Sequence, residues 1–185
     1  MLEPFTVVGI DPGACCGIVA VKFTQRWVEG KGRQLVPVIL GARTVISSGM
    51  MTDPTTPAIA IADCAVLLAG MYQAEIIGIE VPMLTGGRRL KRVATYGSQM
   101  RTIGVVVGRL GAHQLEVISV EPRAVKKTFT GDVLASKRQM MDTLKLIDGY
   151  AKCRDTSQAR LEAKADATAI AITAGRARMK QEVGT

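Results

Sequence analysis

Phe5-Thr6-Val7-Val8-Gly9-Ile10 runs straight into Asp11-Pro12-Gly13. A run this apolar predicts a central strand covered on both faces, and the Pro-Gly pair forces a tight turn that leaves Asp11 at the strand's end. Ile76-Ile77-Gly78-Ile79-Glu80, stopped by Val81-Pro82, repeats the arrangement. Each strand carries a Gly two residues before its carboxylate, which predicts that something packs closely against the backbone there. Laid side by side and parallel, the two strands end on one edge of a sheet, so Asp11 and Glu80 become neighbours. Adjacent carboxylates repel, and a divalent cation is the usual reason to keep them together. Taken singly, each acid also has an ordinary reading. Asp before Pro-Gly is a common turn former, and Glu at a strand end is often simply solvated.

A third acidic site lies near the C-terminus. Glu162 and Asp166 are four residues apart in a strongly helical stretch, so they share one helix face. Neither has a Lys or Arg three or four positions away: Glu162 faces Gln158, Ala159 and Ala165, and Asp166 faces Ala163, Ala169 and Ile170. Like charges at that spacing cost a few tenths of a kcal/mol, and more beside an apolar surface, so the pair calls for an external cation. A solvated acidic patch near the helix start, favoured by the macrodipole, accounts for Glu162 better than for Asp166.

Outward from the first strand, Gly17 to Phe23 resumes as a strand expected to pair antiparallel with it. Residues 24–34, rich in Gly and charge, are expected to form a loop. Gln34 to Leu40 and Ala42 to Ile46 predict a third strand, with Pro37 placing it at an edge or a bulge. The cluster Asp53-Pro54-Thr55-Thr56-Pro57 precedes a helix of about 15 residues, Ala58 to Tyr72, which supplies the crossover that a parallel return requires. Leu84-Thr85-Gly86-Gly87-Arg88-Arg89-Leu90-Lys91-Arg92 reads as a flexible basic segment leading into a helix from Ala94 to Gly111. Gln114 to Val120 predicts a strand, residues 122–128 and 135–149 predict helices, and a long helix is expected over 157–178, with Asp155-Thr156-Ser157 as capping candidates.

The 185 residues, 48% of them apolar, suit one domain over residues 1–185 with a substantial core. Lys and Arg outnumber Asp and Glu by 24 to 16, giving a net charge of +8 and a pI of about 9.6, which points toward a polyanion such as nucleic acid. One Trp, three Tyr and three Phe are too few to stack on many single-stranded bases. Cys15, Cys16, Cys64 and Cys153 form no CxxC pair and His113 is the sole histidine, which excludes a structural zinc site. The cysteines read as small apolar fillers in a reducing compartment, and His113 as structural. Glu3, Pro4 and Asp11 are incompatible with a signal peptide, and no segment reads as long enough to span a bilayer. A cytoplasmic protein with no membrane partner is expected.

Carboxylates at two strand ends and on one covering helix, in a basic chain, suggest two-metal phosphodiester cleavage with Mg²⁺ or Mn²⁺. The same residues carry a family likeness. Gly9-Ile10-Asp11-Pro12-Gly13, Ile79-Glu80, Val125-Lys126-Lys127-Thr128 with Lys137-Arg138-Gln139, and Ala165-Asp166-Ala167 with Ala169-Ile170-Ala171-Ile172-Thr173 occur in order. Over residues 5–175 the chain resembles RuvC-type Holliday-junction resolvases of the RNase H-like superfamily. The resemblance implies an α/β, RNase H-like fold with a five-stranded mixed sheet flanked by helices. It further implies a homodimeric, metal-dependent endonuclease that nicks four-way DNA junctions symmetrically, in a prokaryotic cell or a virus-infected host.

On that reading Asp11, Glu80 and Asp166, with Glu162 as the fourth, hold the metal; Lys126 and Lys137 lie near the scissile phosphate; and Arg88, Arg89, Lys91, Arg92, Lys127 and Arg138 contact nucleic acid. The chain departs from the family in two places. The family has an acid or a histidine three residues before the position of Asp166, where this chain has Ala163, and Glu162 is the candidate to replace it. Family members often carry an aromatic soon after the second acid, where this chain has Met83 and Leu84. An RNA-processing nuclease of the same fold and a junction-binding protein without catalysis are the competing expectations. Sugar kinases and actin-like ATPases share the opening turn, but they are longer and need a second phosphate motif that is not found here.

Overall fold

A computed structural model describes residues 3–30, 32–46, 55–82 and 90–183, with side chains except those of 90–95 and 183. Among the described residues the order is β1 (Phe5–Asp11), β2 (Cys15–Val28), β3 (Gly32–Ile46), α1 (Thr55–Tyr72), β4 (Ile76–Glu80), α2 (Leu90–Ala112), β5 (Glu116–Val120), α3 (Pro122–Thr130), α4 (Lys137–Lys145), a 3₁₀ turn (Tyr150–Cys153) and α5 (Gln158–Val183). The strands lie in the order β3-β2-β1-β4-β5. β1 is antiparallel to β2 and parallel to β4, and β4 is parallel to β5. This is the five-stranded mixed sheet expected, with β1 at its centre.

Strand alternation divides the core in two. Val8, Ile10, Cys16, Ile18, Ala20, Ile77 and Ile79 point toward α1 and α2. Val7, Val19, Val21, Phe23 and Ile76 point the other way, toward α3, α4 and α5. Because both faces are covered, β1 and β4 read as continuous apolar runs instead of alternating ones.

The glycines of three neighbouring strands lie under α5. A Cβ at Gly9 would fall on the carbonyl oxygen of Ala167, one at Gly17 on that of Ala163, and one at Gly78 on Ala174 and Ile170. Small residues therefore meet small residues, and the α5 backbone sits directly on the sheet. At Gly9 and Gly78 this is the close packing that the Gly-x-carboxylate spacing predicted, and Gly17 adds a third such contact.

Several expectations are corrected. Residues 24–34 are not a loop: β2 and β3 pair from Cys15↔Ile46 to Val28↔Gly32, with one register shift between Ala20 and Val21, and turn at Gly30, whose φ of 72° suits glycine. The far half of this hairpin stands clear of the core, so it carries no burial pattern to mark it, and Trp27 near its tip is 77% exposed. Pro37 does lie on an edge strand. Part of that edge is covered by the chain between α4 and α5, where the Ile39 amide donates to the Asp148 carbonyl at 2.8 Å. The expectation that no segment reaches spanning length meets an exception in α1, whose 18 residues have a mean hydropathy of 1.4. Its Ala58, Ile61, Ala62, Ala65, Leu68 and Ala69 are buried on the sheet, so that apolar length builds core.

Candidate active site

Asp11 and Glu80 are the last residues of β1 and β4, and the register pairs Gly9 with Gly78 and Ile10 with Ile79. Side chains two apart share a face, so Asp11 follows Gly9, and Glu80 follows Gly78, onto the side covered by α5. Ala167 rests on Gly9, and Asp166 is the residue before it. The helix thus carries the third carboxylate over the ends of the two strands.

The electrostatics register this proximity. Burial, then the negative charges of Asp166 and Glu80, push the Asp11 carboxyl up to about 7, against the pull of Lys137. Burial and then the charge of Asp166 raise Glu80 as well, with Lys137 and Lys126 opposing. Three acids on one face, two of them resisting ionisation, form a site that a cation would stabilise. Among the described residues no three His, Cys, Asp or Glu side chains are drawn close enough together to hold a metal ion as they stand.

The positive charge near the acids comes from the chain itself. Lys137 Nζ donates to Asp166 Oδ2. Burial pulls the Lys137 ammonium down, but the hydrogen bond and charge of Asp166, together with Asp11 and Glu162, outweigh it and leave the group raised. Its position is fixed by a capping box: Ser136 Oγ accepts from the Gln139 amide and Gln139 Oε1 accepts from the Ser136 amide, which sets Lys137 as the first residue of α4. No Lys or Arg lies within one helical turn of Asp166, and its spacing calls for an external cation; the fold brings a basic partner from 29 residues away in sequence. No local spacing signals such a contact.

Glu162 is half-buried, accepts from Gln158 Nε2 at 2.9 Å, and helps to keep Lys137 charged. Ala163, at the family's fourth acidic position, is buried against Gly17. Lys126 is half-buried on α3, while Lys127 and Arg138 are exposed. Arg88, Arg89, Met83 and Leu84 lie outside the described residues, and Lys91 and Arg92 belong to α2 with side chains outside them. His113 is exposed just after α2, its amide donating to the Leu110 carbonyl at 3.0 Å. The four cysteines are free; Cys16 and Cys153 are buried, as apolar fillers would be.

No family model matches the chain. A crossover junction endodeoxyribonuclease RuvC from Corynebacterium diphtheriae is 27% identical over 166 residues, covering 89% of this chain and 90% of the relative. The RuvC structure from Thermus thermophilus superposes with a TM-score of 0.67 over 95% of this chain and 97% of its own, at 24% identity. The T. thermophilus RuvC structure in complex with a Holliday junction substrate gives 0.66 over 95% and 96%, at 23% identity. In sequence the chain is thus similar to RuvC crossover junction endodeoxyribonucleases, and its fold is that of the RuvC structures.

Proposed function

We propose that this protein is a metal-dependent endonuclease that resolves four-way DNA junctions, with Asp11, Glu80 and Asp166 as its acidic centre. One observation carries this reading: Asp11 and Glu80 end neighbouring parallel strands under Asp166, and burial, then the charges of Asp166 and Glu80, push the Asp11 carboxyl up to about 7. An all-oxygen donor set fits Mg²⁺ or Mn²⁺, which would activate the attacking water and stabilise the leaving oxygen. The names and the junction-bound state of the relatives support the substrate.

Within that site Asp11 and Glu80 supply fixed negative charge from rigid strand ends, and α5 adds Asp166 from above. Lys137 and Lys126 bring positive charge to the same place, where it steadies the charge that builds up on a phosphate under attack. Lys127 and Arg138, with the basic run around Arg88, Arg89, Lys91 and Arg92, hold the DNA backbone without reading sequence. Glu162 is the fourth acid of the set.

Two symmetric nicks require two sites, so the active form is a homodimer. Apolar side chains on the outside of α1 support this: Ile59, Leu67 and Met71 are exposed at helical spacing. The cytoplasm is the expected compartment. A junction-binding protein without catalysis is the second reading, favoured by Ala163 at the family's acidic position and by the ion pair that engages Asp166.

The deciding experiment is cleavage of a labelled four-way junction, beside linear duplex and structured RNA, in Mg²⁺ or in EDTA. Paired symmetric nicks confined to the junction and lost in EDTA are expected. Binding without cuts selects the non-catalytic reading, and preferential cutting of RNA selects an RNA-processing nuclease.

A further inference from the structure

Between α3 and α4 the chain makes a turn that holds an apolar side chain out into solvent beside the candidate site. Gly131, with φ of 85°, ends α3, and its amide donates to the Lys127 carbonyl at 3.0 Å. The Asp132 amide donates to Thr130 Oγ1 at 3.2 Å, and Asp132 Oδ1 accepts from the Leu134 amide at 2.8 Å. Ala135 is buried and Ser136 caps α4, so the turn is anchored on both sides. At its tip Leu134 is 83% exposed and Val133 41%. Nothing in the core accounts for a leucine fixed in that position.

The surroundings identify what would cover it. Leu134 lies three residues before Lys137, which reaches Asp166, so the turn leads directly into the helix end that meets the acidic cluster. Exposed Arg123, Lys127 and Arg138 occupy the helices on either side of the turn. Asp132, the acid within the turn, has an oxygen engaged by the Leu134 amide. An aliphatic tip among cations matches a nucleotide, whose phosphates meet the cations while its sugar and base offer an apolar surface.

Building on the function proposed above, we infer that Leu134 is a specificity-determining residue: it packs against the base next to the scissile phosphate and so sets which flanking sequences are cut fastest. An apolar side chain pressed against a base step selects the steps that unstack at least cost. The cations of α3 and α4 hold the backbone in place, and Leu134 discriminates among the bases held there.

The test uses the full-length protein and a panel of four-way junctions that differ only in the nucleotides flanking the crossover. Wild type, Leu134→Ala and Leu134→Met are compared by cleavage rate, junction affinity and fluorescence of a 2-aminopurine placed beside the crossover. Because Leu134 is exposed, its replacement is expected to leave the melting temperature unchanged. Leu134→Ala should shrink the ratio between the fastest and slowest junctions by about tenfold, the size of one base-pair discrimination. It should keep affinity within about twofold and lose the fluorescence rise that marks unstacking, while Leu134→Met keeps both preference and rise. A wild type that cuts selectively beside a Leu134→Ala variant with the same preference overturns the assignment alone. So does a loss of affinity equal on all sequences. A wild type that cuts no junction overturns this inference together with the proposed function, and that failure is seen before any substitution is made.

Discussion

Asp11 is the residue on which the charge of the site converges. Burial and the neighbouring acids push its carboxyl up to about 7 in the folded chain, from 3.8 as its ordinary value. Between those values the folded chain keeps a proton that the unfolded chain has released, so stability falls as pH rises through that window. Glu80, also raised, acts with the same sign. Asp155 acts oppositely: the hydrogen bond from Lys164 holds it below its ordinary value, so its contribution is lost only as pH falls into the acid range. In EDTA the melting temperature should therefore drop from pH 5 to pH 8, and Asp11→Asn should flatten the drop while raising the value at pH 8. An unchanged slope in that variant would show that Asp11 is ionised throughout. The same substitution should abolish junction cutting, by at least about a thousandfold, with junction affinity retained; full activity would remove Asp11 from the chemistry. Glu162→Gln tests the fourth acid, since an unaltered cleavage rate would leave it only its hydrogen bond to Gln158 and its influence on Lys137.

At the scale of elements, the precision of the site depends on how closely α5 approaches the sheet. Gly9, Gly17 and Gly78 admit the helix backbone, and each Cβ added there meets backbone or buried side-chain atoms that have no room to move. Gly17→Ala should cost about 1–3 kcal/mol, the usual range for overpacking, read as a lower urea midpoint at unchanged slope. It should also slow cleavage, because the helix carrying Asp166 must shift; full activity in a destabilised variant would show that the helix position is not critical. The packing at Gly9 and Gly78 was legible in the sequence because a Gly two residues before a strand-end acid is a local pattern, whereas Gly17 carries no such mark. The β2–β3 hairpin was not legible, since its outer half buries little and its Gly and charged residues resemble a loop. Nor was the pairing of Lys137 with Asp166, which depends on α4 and α5 being neighbours in space. Local patterns thus marked the strand ends at Asp11 and Glu80 and the two neighbours of the first strand, while contacts between distant segments became visible only in the fold.

For the molecule as a whole, charge and symmetry set the expectations. Neutralising both Lys127 and Arg138 should lower the salt slope of junction binding by about 2, at ~0.9 per phosphate contact; an unaltered slope would return both to the solvated surface. The homodimer proposed above is assigned to the outer face of α1 and α2. Leu67 and Met71 are 59% and 57% exposed on α1, one helical turn apart, and Gly104 and Gly108 of α2 have open space where a side chain would stand. Exposed apolar side chains give a second copy of the same surface something to pack against. Sedimentation should therefore find the protein at twice its 19.7 kDa chain mass. Leu67→Arg with Met71→Arg should place two like charges against their symmetry mates and yield monomers with an unaltered fold. Such monomers keep a complete acidic centre, because Asp11, Glu80 and Asp166 come from one chain. They should therefore still nick junctions, but one strand at a time, so that nicked intermediates accumulate where the wild type makes paired cuts. Paired cutting by a monomeric variant would show that two sites need no shared interface, and a wild type that sediments as a monomer would remove the dimer altogether.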